Sequence, residues 1–218
     1  MDFAQARLNM VEGQLRPNGV VDPRVIEAML ALPREACLPP AKRAMAYVDA
    51  DVPLTPGRWL IEPMAHARLV QAAEPAATDR ALVIAAGAGY GAALLSRLVA
   101  SVIALESPER LADLQAGLAA LGADDVLAVA GPLTEGWPPE APYDVILIDG
   151  GVEVVPETIL NQLAEGGRLV TVETTGQPGV LGRAVRWVRV AGVATRLELF
   201  DAGTPLLPEF RRKRGFVF

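Results

Sequence analysis

From residue 81 onward, short apolar runs alternate with segments of helical periodicity, and this alternation constrains the fold more than any other feature of the chain. Such an order is typical of β-α-β units around a parallel sheet. Two later runs, 184–190 and 194–200, have no helical segment between them, so we expect them to close the sheet as an antiparallel pair. The earlier runs predict the parallel strands: 81–86, 101–105, 126–129, 143–148 and 168–172.

The first third of the chain has helical periodicity instead. Behind Asp2, apolar residues recur at positions 4, 8, 11 and 15, which predicts one helix with these side chains as its buried stripe. A second helix is predicted to begin behind Asp22, a good capping residue, with Pro23 at its first position, and to end at Leu32. The chain is therefore expected to begin with packed helices and to continue as an α/β structure.

The length of 218 residues is enough for one compact unit with a sizeable core. Within that unit we expect residues 1–78 to form a helical part packed on the sheet, and residues 79–218 to form the α/β domain. The apolar ending, Pro205-Leu-Leu-Pro208 with 216–218, is expected to pack against the sheet or against a partner subunit, which leaves an oligomer open.

The charge balance argues against nucleic acid as a partner. The net charge is −6, with 26 acidic and 20 basic residues, so the chain lacks the basic excess that binds phosphate backbones. The one basic run, 211–214, is expected to be a solvated turn.

Three features favour a cytoplasmic protein without a membrane segment or a metal. The longest uncharged stretch, 81–96, is shorter than the roughly 20 apolar residues that span a bilayer. The first residues do not read as a signal peptide. The single cysteine, Cys37, can form neither an internal disulfide nor a metal cluster, which agrees with a reducing compartment.

A glycine motif lies at the end of the first predicted strand, where Gly87-Ala88-Gly89 leads into a helical segment. Glycines at such a junction let a ligand approach the backbone, and the helix N-terminus offers free N–H groups. Glu106 follows the second predicted strand, nineteen residues beyond Gly87, where a carboxylate can accept both ribose hydroxyls of a nucleoside. The motif predicts a nucleotide-type site and does not separate a dinucleotide from S-adenosylmethionine.

Further motifs are spread over the chain up to about Val172, among them Met10-Val-Glu-Gly-Gln-Leu15, Arg43-Ala-Met-Ala-Tyr47, Ala141-Pro-Tyr-Asp144 and Gly166-Gly-Arg-Leu-Val170. In order and spacing this set resembles the protein-L-isoaspartate O-methyltransferases. The resemblance implies a Rossmann-like methyltransferase fold, with a mostly parallel seven-stranded sheet and N-terminal helices. It also implies S-adenosylmethionine as the cofactor and a protein or peptide as the methyl acceptor.

The chain departs from that family's pattern at several positions. Ile61 stands where the family has a serine whose hydroxyl lies at the methyl-accepting carboxylate. Val83, Ala85 and Pro132 replace an acid, a first glycine and the aspartate of a Gly-Asp-Gly turn, while Leu133 remains an implied cofactor contact. A hydrogen bond to a charged group contributes roughly 1.5–3 kcal/mol, so two uncompensated losses would weaken cofactor binding by about two to four powers of ten.

Three residues are candidates for the acceptor side of the site. Glu62, beside Ile61, would repel an anionic acceptor, and Asp149 ends the fourth predicted strand, where ligands gather in open α/β sheets. His66, the only histidine, is either a substrate-pocket residue or a partly exposed helical residue. Tyr90 either packs on the cofactor or fills the interface between helix and sheet.

The acceptor itself is expected to differ from that of the family. A carboxylate is already ionised at neutral pH and needs no general base, so the missing basic residues do not argue against an enzyme. The lost serine hydroxyl, however, favours an altered acceptor, which could be a protein, a peptide or a small molecule.

Two alternatives remain open at this point. The fold could persist without cofactor binding, which would leave a non-catalytic binding protein. Alternatively, Gly87-x-Gly89-x-x-Ala92 also fits the dinucleotide fingerprint of an NAD(P)-binding oxidoreductase. The helical N-terminal part and the antiparallel closing pair argue against the oxidoreductase.

Overall fold

A computed structural model describes residues 1–177 and 179–212 of the chain. In the first part of the apolar ending, Leu207 packs against the sheet as expected. Residues 216–218 and the last two residues of the basic run 211–214 lie outside the described residues. The expectations for these segments therefore stay predictions.

The first third of the chain is helical, as predicted, and ends in a small antiparallel ribbon. Two 3₁₀ helices, Arg34–Cys37 and Pro40–Met45, lead into the ribbon. Among the described helices, none has both the length and the apolar content needed to cross a membrane. The main elements are α1 (Phe3–Met10), α2 (Pro23–Ala31), β1 (Val52–Pro53), β2 (Trp59–Leu60) and α3 (Pro63–Ala72).

The predicted buried stripe of the first helix is wrong in its first half. Leu8 is 44% exposed, whereas Met10, Val11 and Leu15 are buried. The cause is a π-helical turn at Val11–Leu15, which follows α1 directly. A π-helical turn holds more residues than an α-helical turn, so it rotates the apolar face relative to the residues before it. The cap of α2 is as predicted, because Asp22 accepts the N–H of Arg24 at 2.9 Å.

The remaining elements form the predicted sheet. They are β3 (Arg80–Ile84), α4 (Tyr90–Ser96), β4 (Ser101–Glu106), α5 (Leu111–Leu121), β5 (Leu127–Ala130), β6 (Tyr143–Val152), α6 (Glu157–Leu160), β7 (Leu163–Glu173), β8 (Gly182–Val190) and β9 (Val193–Ala202). Within residues 1–177 and 179–212, seven strands pair in the order β5-β4-β3-β6-β7-β8-β9. Pairing is parallel from β5 to β7 and antiparallel for β8 and β9. The mostly parallel seven-stranded sheet and its antiparallel closing pair are confirmed.

The central strands are apolar on both faces because both faces are covered. Along β3, Ala81 and Val83 belong to a core shared with the N-terminal helices, α4 and α5. Leu82 and Ile84 belong to a second core, which includes α6 and the segment around Phe210. A strand buried on both faces reads as a continuous apolar run, which is why it is visible in the sequence.

Some boundaries differ from the sequence prediction. Strand β7 begins at Leu163, five residues before the predicted run at 168. Glu106 is the last residue of β4 rather than the residue after it. Strand β6 continues to Val152, with a register shift against β7 between Leu147 and Gly151. This irregularity lies at the carboxyl edge of the sheet, next to Asp149.

A candidate cofactor and acceptor site at the carboxyl edge of the sheet

The turn between β3 and α4 has the backbone that the glycine motif predicts. Gly87 and Gly89 adopt left-handed conformations, with φ of +57° and +83°, and so does Ala85, with φ of +60°. A Cβ on Gly89 would lie 2.8 Å from the Leu118 side chain, so α5 packs directly against the turn. A larger residue here would have to displace the Leu118 side chain and would also be strained at a φ of +83°, so both features favour glycine.

The turn borders an open cavity of about 380 Å³. Gly87 and Ala88 form one wall, and the other walls come from residues 36–39, the loop at 54–55 and α5. This volume lies in the usual range of small-molecule sites, of roughly 300–1,000 Å³. The cavity therefore provides room for a ligand beside the predicted nucleotide motif.

Glu106 lies beside the same turn, with a fully buried side chain. Its carboxylate accepts two backbone N–H groups, from Gly87 at 3.0 Å and from Ser107 at 2.7 Å. It also accepts two hydrogen bonds from Arg58, from Nε at 2.8 Å and from Nη2 at 2.7 Å. Burial alone would raise the pKa of Glu106, but these donors outweigh burial and hold the pKa below its ordinary value. Glu106 is thus an ionised carboxylate with all of its acceptor positions filled.

Arg58 is the partner that the sequence analysis missed. Its side chain is 1% exposed, and it contacts a second carboxylate, Glu209, at 3.0 Å and 3.2 Å. Burial by itself would lower the pKa of Arg58, but the two carboxylates outweigh it and raise the pKa above its ordinary value. The pair joins residues 48 positions apart through a loop, and no periodic pattern in the sequence signals it.

Tyr90 lies at the helix–sheet side of the turn. It is buried, its hydroxyl contacts the sulfur of Met29 at 3.3 Å, and its ring lies 4.7 Å from the guanidinium of Arg34. Tyr90 does not line the 380 Å³ cavity. This arrangement corresponds to the second sequence interpretation, in which the ring fills the interface.

Leu133 and Val83 are both core residues. Leu133 begins the 3₁₀ helix Leu133–Glu135 and packs in the second core with Leu105 and Ile84. Val83 packs in the first core and offers no polar group to a ligand. Leu133 stays a predicted cofactor contact, since it lies just beyond the carboxyl end of β5.

A second polar cluster lies at the end of β6 and is built from Asp149, His66 and Arg34. The carboxyl oxygen Oδ1 of Asp149 is 3.5 Å from Nε2 of His66, and both side chains are buried. Burial raises the pKa of Asp149 to about 7. Burial, with the charge of Arg34, lowers the pKa of His66 to about 3. The interpretation of His66 as a partly exposed helical residue is wrong, because its side chain is 1% exposed.

Several polar atoms of this cluster have no hydrogen-bond partner among the described residues. They are Oδ1 of Asp149, both ring nitrogens of His66 and Nη1 of Arg34. Arg34 is otherwise anchored, since its Nη2 donates to the carbonyl of Ile61 at 2.7 Å. Buried polar groups are normally paired, so such a cluster at the carboxyl edge of a sheet has the properties of a functional site.

The acceptor-side position Ile61 is fully apolar, and it is joined to this cluster through Arg34. Its neighbour Glu62 is half-buried, and its backbone N–H donates to Asp51 at 2.9 Å. Burial, together with the negative charges of Asp51 and Asp49, raises the pKa of Glu62. Positions 61 and 62 thus bring a buried apolar side chain and a half-buried acid next to the cluster of Asp149, His66 and Arg34.

Comparisons with known proteins agree with this architecture. The family model of the protein-L-isoaspartate(D-aspartate) O-methyltransferases matches residues 6–184. Protein-L-isoaspartate O-methyltransferase 1 of Rhodopseudomonas palustris (strain HaA2) is 41% identical over 169 residues, which cover 77% of this chain and 69% of the relative. The corresponding protein of strain ATCC BAA-98 / CGA009 is 44% identical over 162 residues, or 74% of each chain.

Solved structures show the same fold. A protein-L-isoaspartate O-methyltransferase superposes with a TM-score of 0.79 at 24% identity, covering 94% of this chain and 67% of that one. A putative one from Plasmodium falciparum, in complex with S-adenosyl-L-homocysteine, gives 0.75 at 18% identity and covers 96% and 99%.

The sheet order, the glycine turn and the carboxylate at the end of β4 define a Rossmann-like methyltransferase fold. The chain belongs to the protein-L-isoaspartate O-methyltransferase family. The family resemblance stated from the sequence motifs is confirmed, and with it S-adenosylmethionine as the cofactor of the family.

Proposed function

We propose that this chain is an S-adenosylmethionine-dependent methyltransferase with an acceptor different from the isoaspartyl carboxylate. The observation that carries the first half is the glycine turn with Glu106 beside it, which is present although Val83, Ala85 and Pro132 depart from the family pattern. The left-handed turn at Gly87 and Gly89 leads into α4, and the Gly87 N–H points at an ionised carboxylate at the end of β4. The residues fit the adenosyl group provided that Arg58 gives up its hydrogen bonds to Glu106, because the Glu106 carboxylate can then accept the ribose hydroxyls.

The residues of the cradle would hold the cofactor in a defined way. The backbone at 87–89 and the N-terminus of α4 would lie against the methionine part, and Glu106 would accept the ribose hydroxyls. When bound, the cofactor supplies an electrophilic methyl group on a sulfonium. The chain's own task is then to align the acceptor with that group and to exclude water.

The second half of the proposal rests on the acceptor side. The side chain of Ile61 offers no hydrogen bond, and Glu62 with Asp51 adds negative charge nearby, which disfavours a carboxylate acceptor. Asp149 is the group suited to take a proton from a neutral acceptor, because its pKa of about 7 lets it act near neutral pH. His66 is buried beside it, with Nε2 3.5 Å from Oδ1 and no hydrogen bond between the two atoms, so it would hold the Asp149 carboxyl by packing alone.

The acceptor class follows from the family and from these groups. A protein or peptide acceptor is supported by the family of the chain, and a small molecule is the other outcome that a substrate screen would report. We also infer that the protein works in the cytoplasm, which the buried, unpaired Cys37 supports.

The test of cofactor binding is calorimetric titration with S-adenosylhomocysteine. We expect saturable binding, and a thermal shift with S-adenosylmethionine. Absence of heat and of a thermal shift at millimolar ligand would favour the non-catalytic binding protein, and enhanced NADH fluorescence on mixing would favour the oxidoreductase.

The test of the acceptor is methyl transfer to an isoaspartyl peptide by wild type, Ile61→Ser and the control Ile61→Val. Ile61→Ser restores the hydroxyl, which at roughly 1.5 kcal/mol for one hydrogen bond should raise turnover about tenfold. Ile61→Val should stay at the low wild-type rate. Efficient isoaspartyl methylation by the wild type, unchanged in both variants, would contradict an altered acceptor.

A further inference from the structure

The guanidinium of Arg58 occupies the place where ribose hydroxyls would meet Glu106. The carboxylate has two oxygens, and each accepts one backbone N–H and one N–H of Arg58. The backbone donors are fixed in the chain, so a ribose can compete only with Arg58. Binding of a nucleoside at Glu106 and the Arg58–Glu106 ion pair therefore exclude each other.

Arg58 is fully satisfied in the position that it holds. Its Nε donates to Glu106, its Nη2 donates to Glu106 and Glu209, and its Nη1 donates to Glu209 and to the Gly57 carbonyl at 2.7 Å. These contacts use the five N–H donors of a guanidinium. The ion pair with Glu106 is thus a stable alternative to a bound ligand.

Glu209 provides a second partner on the solvent side. Its side chain is 32% exposed, compared with 0% for Glu106, so the two carboxylates lie along a path from the interior to the surface. If Arg58 leaves Glu106, its contacts to Glu209 and Gly57 can persist while its remaining donors reach water. A second carboxylate lowers the cost of releasing the first, since breaking a buried pair is costly mainly because it leaves a charge unpaired.

The segment that carries Glu209 is anchored against the sheet and the Arg58 loop. Leu207 N–H donates to Gly151 at 2.8 Å, and Phe210 is buried in the second core. A Cβ on Gly57 would lie 3.1 Å from Pro208, so the turn that contains Glu209 packs on the residue before Arg58. Glu209 also lies beyond residue 184, where the match to the family model ends.

We propose that Arg58 sets the cofactor affinity of this chain by a change of partners: in the free protein it bridges Glu106 and Glu209, and when an adenosyl ligand is bound it releases Glu106 and keeps Glu209. This inference rests on the proposed function, because it assumes that the ligand is an adenosyl compound. It makes Arg58 and Glu209 determinants of affinity that act in opposite directions. The ion pair of Arg58 with Glu106 opposes ligand binding. Glu209 favours ligand binding, because it remains a charged partner for Arg58 after Glu106 is released.

The experiment is titration of the full chain with S-adenosylhomocysteine, comparing wild type, Arg58→Met and Glu209→Gln. Removal of the competing donors in Arg58→Met should tighten binding by about tenfold or more. Glu209→Gln removes the charge that receives Arg58 and should weaken binding by about threefold to tenfold. Arg80→Met and Glu140→Gln, which break an exposed ion pair elsewhere, should leave affinity unchanged.

The opposite signs distinguish exchange from a merely structural role, which would lower affinity in both variants. Because Glu209 is partly exposed, Glu209→Gln is expected to fold. It therefore provides a test of the inference even if Arg58→Met folds poorly. Suppose that the wild type binds the ligand. If the affinity of Arg58→Met is then equal to or weaker than that of the wild type, or the affinity of Glu209→Gln is unchanged, the inference is overturned and the proposed function stands. Absence of binding by all three proteins at millimolar ligand would overturn both.

Discussion

Two buried carboxyl groups lie at the same edge of the sheet, and their surroundings shift their pKa values in opposite directions. Glu106, at the end of β4, accepts four hydrogen bonds, and its pKa is lowered. Asp149, near the end of β6, lies beside His66 with its Oδ1 unpartnered among the described residues, and burial raises its pKa to about 7. The comparison teaches that partners, rather than depth alone, decide whether a buried acid is ionised. An ionised carboxylate can accept hydrogen bonds from ribose hydroxyls, whereas a carboxyl group with a pKa near 7 can take up and release a proton near neutral pH.

The largest expected effect concerns the satisfied carboxyl. Glu106→Gln leaves Arg58 buried with only Glu209 as a charged partner, and removal of one member of a buried ion pair costs about 3–5 kcal/mol. Urea unfolding should show this loss of unfolding free energy. The control Glu140→Gln, in an exposed pair with Arg80, should lose less than about 1 kcal/mol.

The double variant Arg58→Met with Glu106→Gln sharpens this result. It removes both charges, so it should recover much of the stability lost in the single variant. If the loss of unfolding free energy in the double variant equals the sum of the losses in the two single variants, the ion pair contributes little to stability. Packing alone would then hold the loop that carries Arg58.

The next effect concerns the Asp149 carboxyl and His66 beside it. Their contributions to the unfolding free energy should depend on pH in opposite directions. Asp149 is protonated in the fold up to about pH 7 and ionises near pH 4 when unfolded, so it makes stability fall as pH rises between these values. His66 stays neutral in the fold down to about pH 3 and is protonated below about pH 6.5 when unfolded, so it makes stability fall as pH drops.

The variants Asp149→Asn and His66→Gln separate the two contributions. Relative to wild type, the unfolding free energy of Asp149→Asn should rise by about 2 kcal/mol from pH 5 to pH 8, and that of His66→Gln should fall by about 2 kcal/mol. Chemical unfolding at both pH values measures these slopes. Parallel profiles for all three proteins would mean that neither pKa is shifted in the fold, so that Asp149 would be ionised at both pH values and His66 would titrate near its ordinary pKa.

The smallest expected effect concerns Tyr90, which lies between the two regions. Tyr90→Phe removes only the contact of the hydroxyl with Met29, so the loss of stability should be below about 1 kcal/mol. Affinity for S-adenosylhomocysteine should be unchanged in a parallel titration. A fivefold or larger loss of affinity would instead return Tyr90 to the cofactor.

The parts of the fold that the sequence predicted are those in which local pattern and burial agree. The strands around Leu82 and Ile146 are continuous apolar runs, and the cap at Asp22 is a local interaction. The first half of the apolar stripe that ends at Leu15 is mispredicted, because apolar spacing gives no signal for the π-helical turn. The glycine turn was predictable because left-handed backbone requires particular residues.

The partners in the site were not predictable from the sequence. Glu106 is recognisable as an acid at the end of a strand, but Arg58 reaches it from a loop 48 residues earlier and Glu209 reaches Arg58 from 151 residues later. Arg34 joins Ile61 to the cluster of His66 and Asp149 in the same long-range way. Such contacts depend on the folding of loops over the sheet edge, which no spacing rule describes.

The most direct test of the account is a crystal structure of the chain soaked with S-adenosylhomocysteine, read at one carboxylate. Both oxygens of Glu106 should accept the ribose hydroxyls, and the guanidinium of Arg58, which bridges Glu106 and Glu209 in the free chain, should keep only Glu209. A bound ligand with Arg58 still paired to Glu106 would contradict the account.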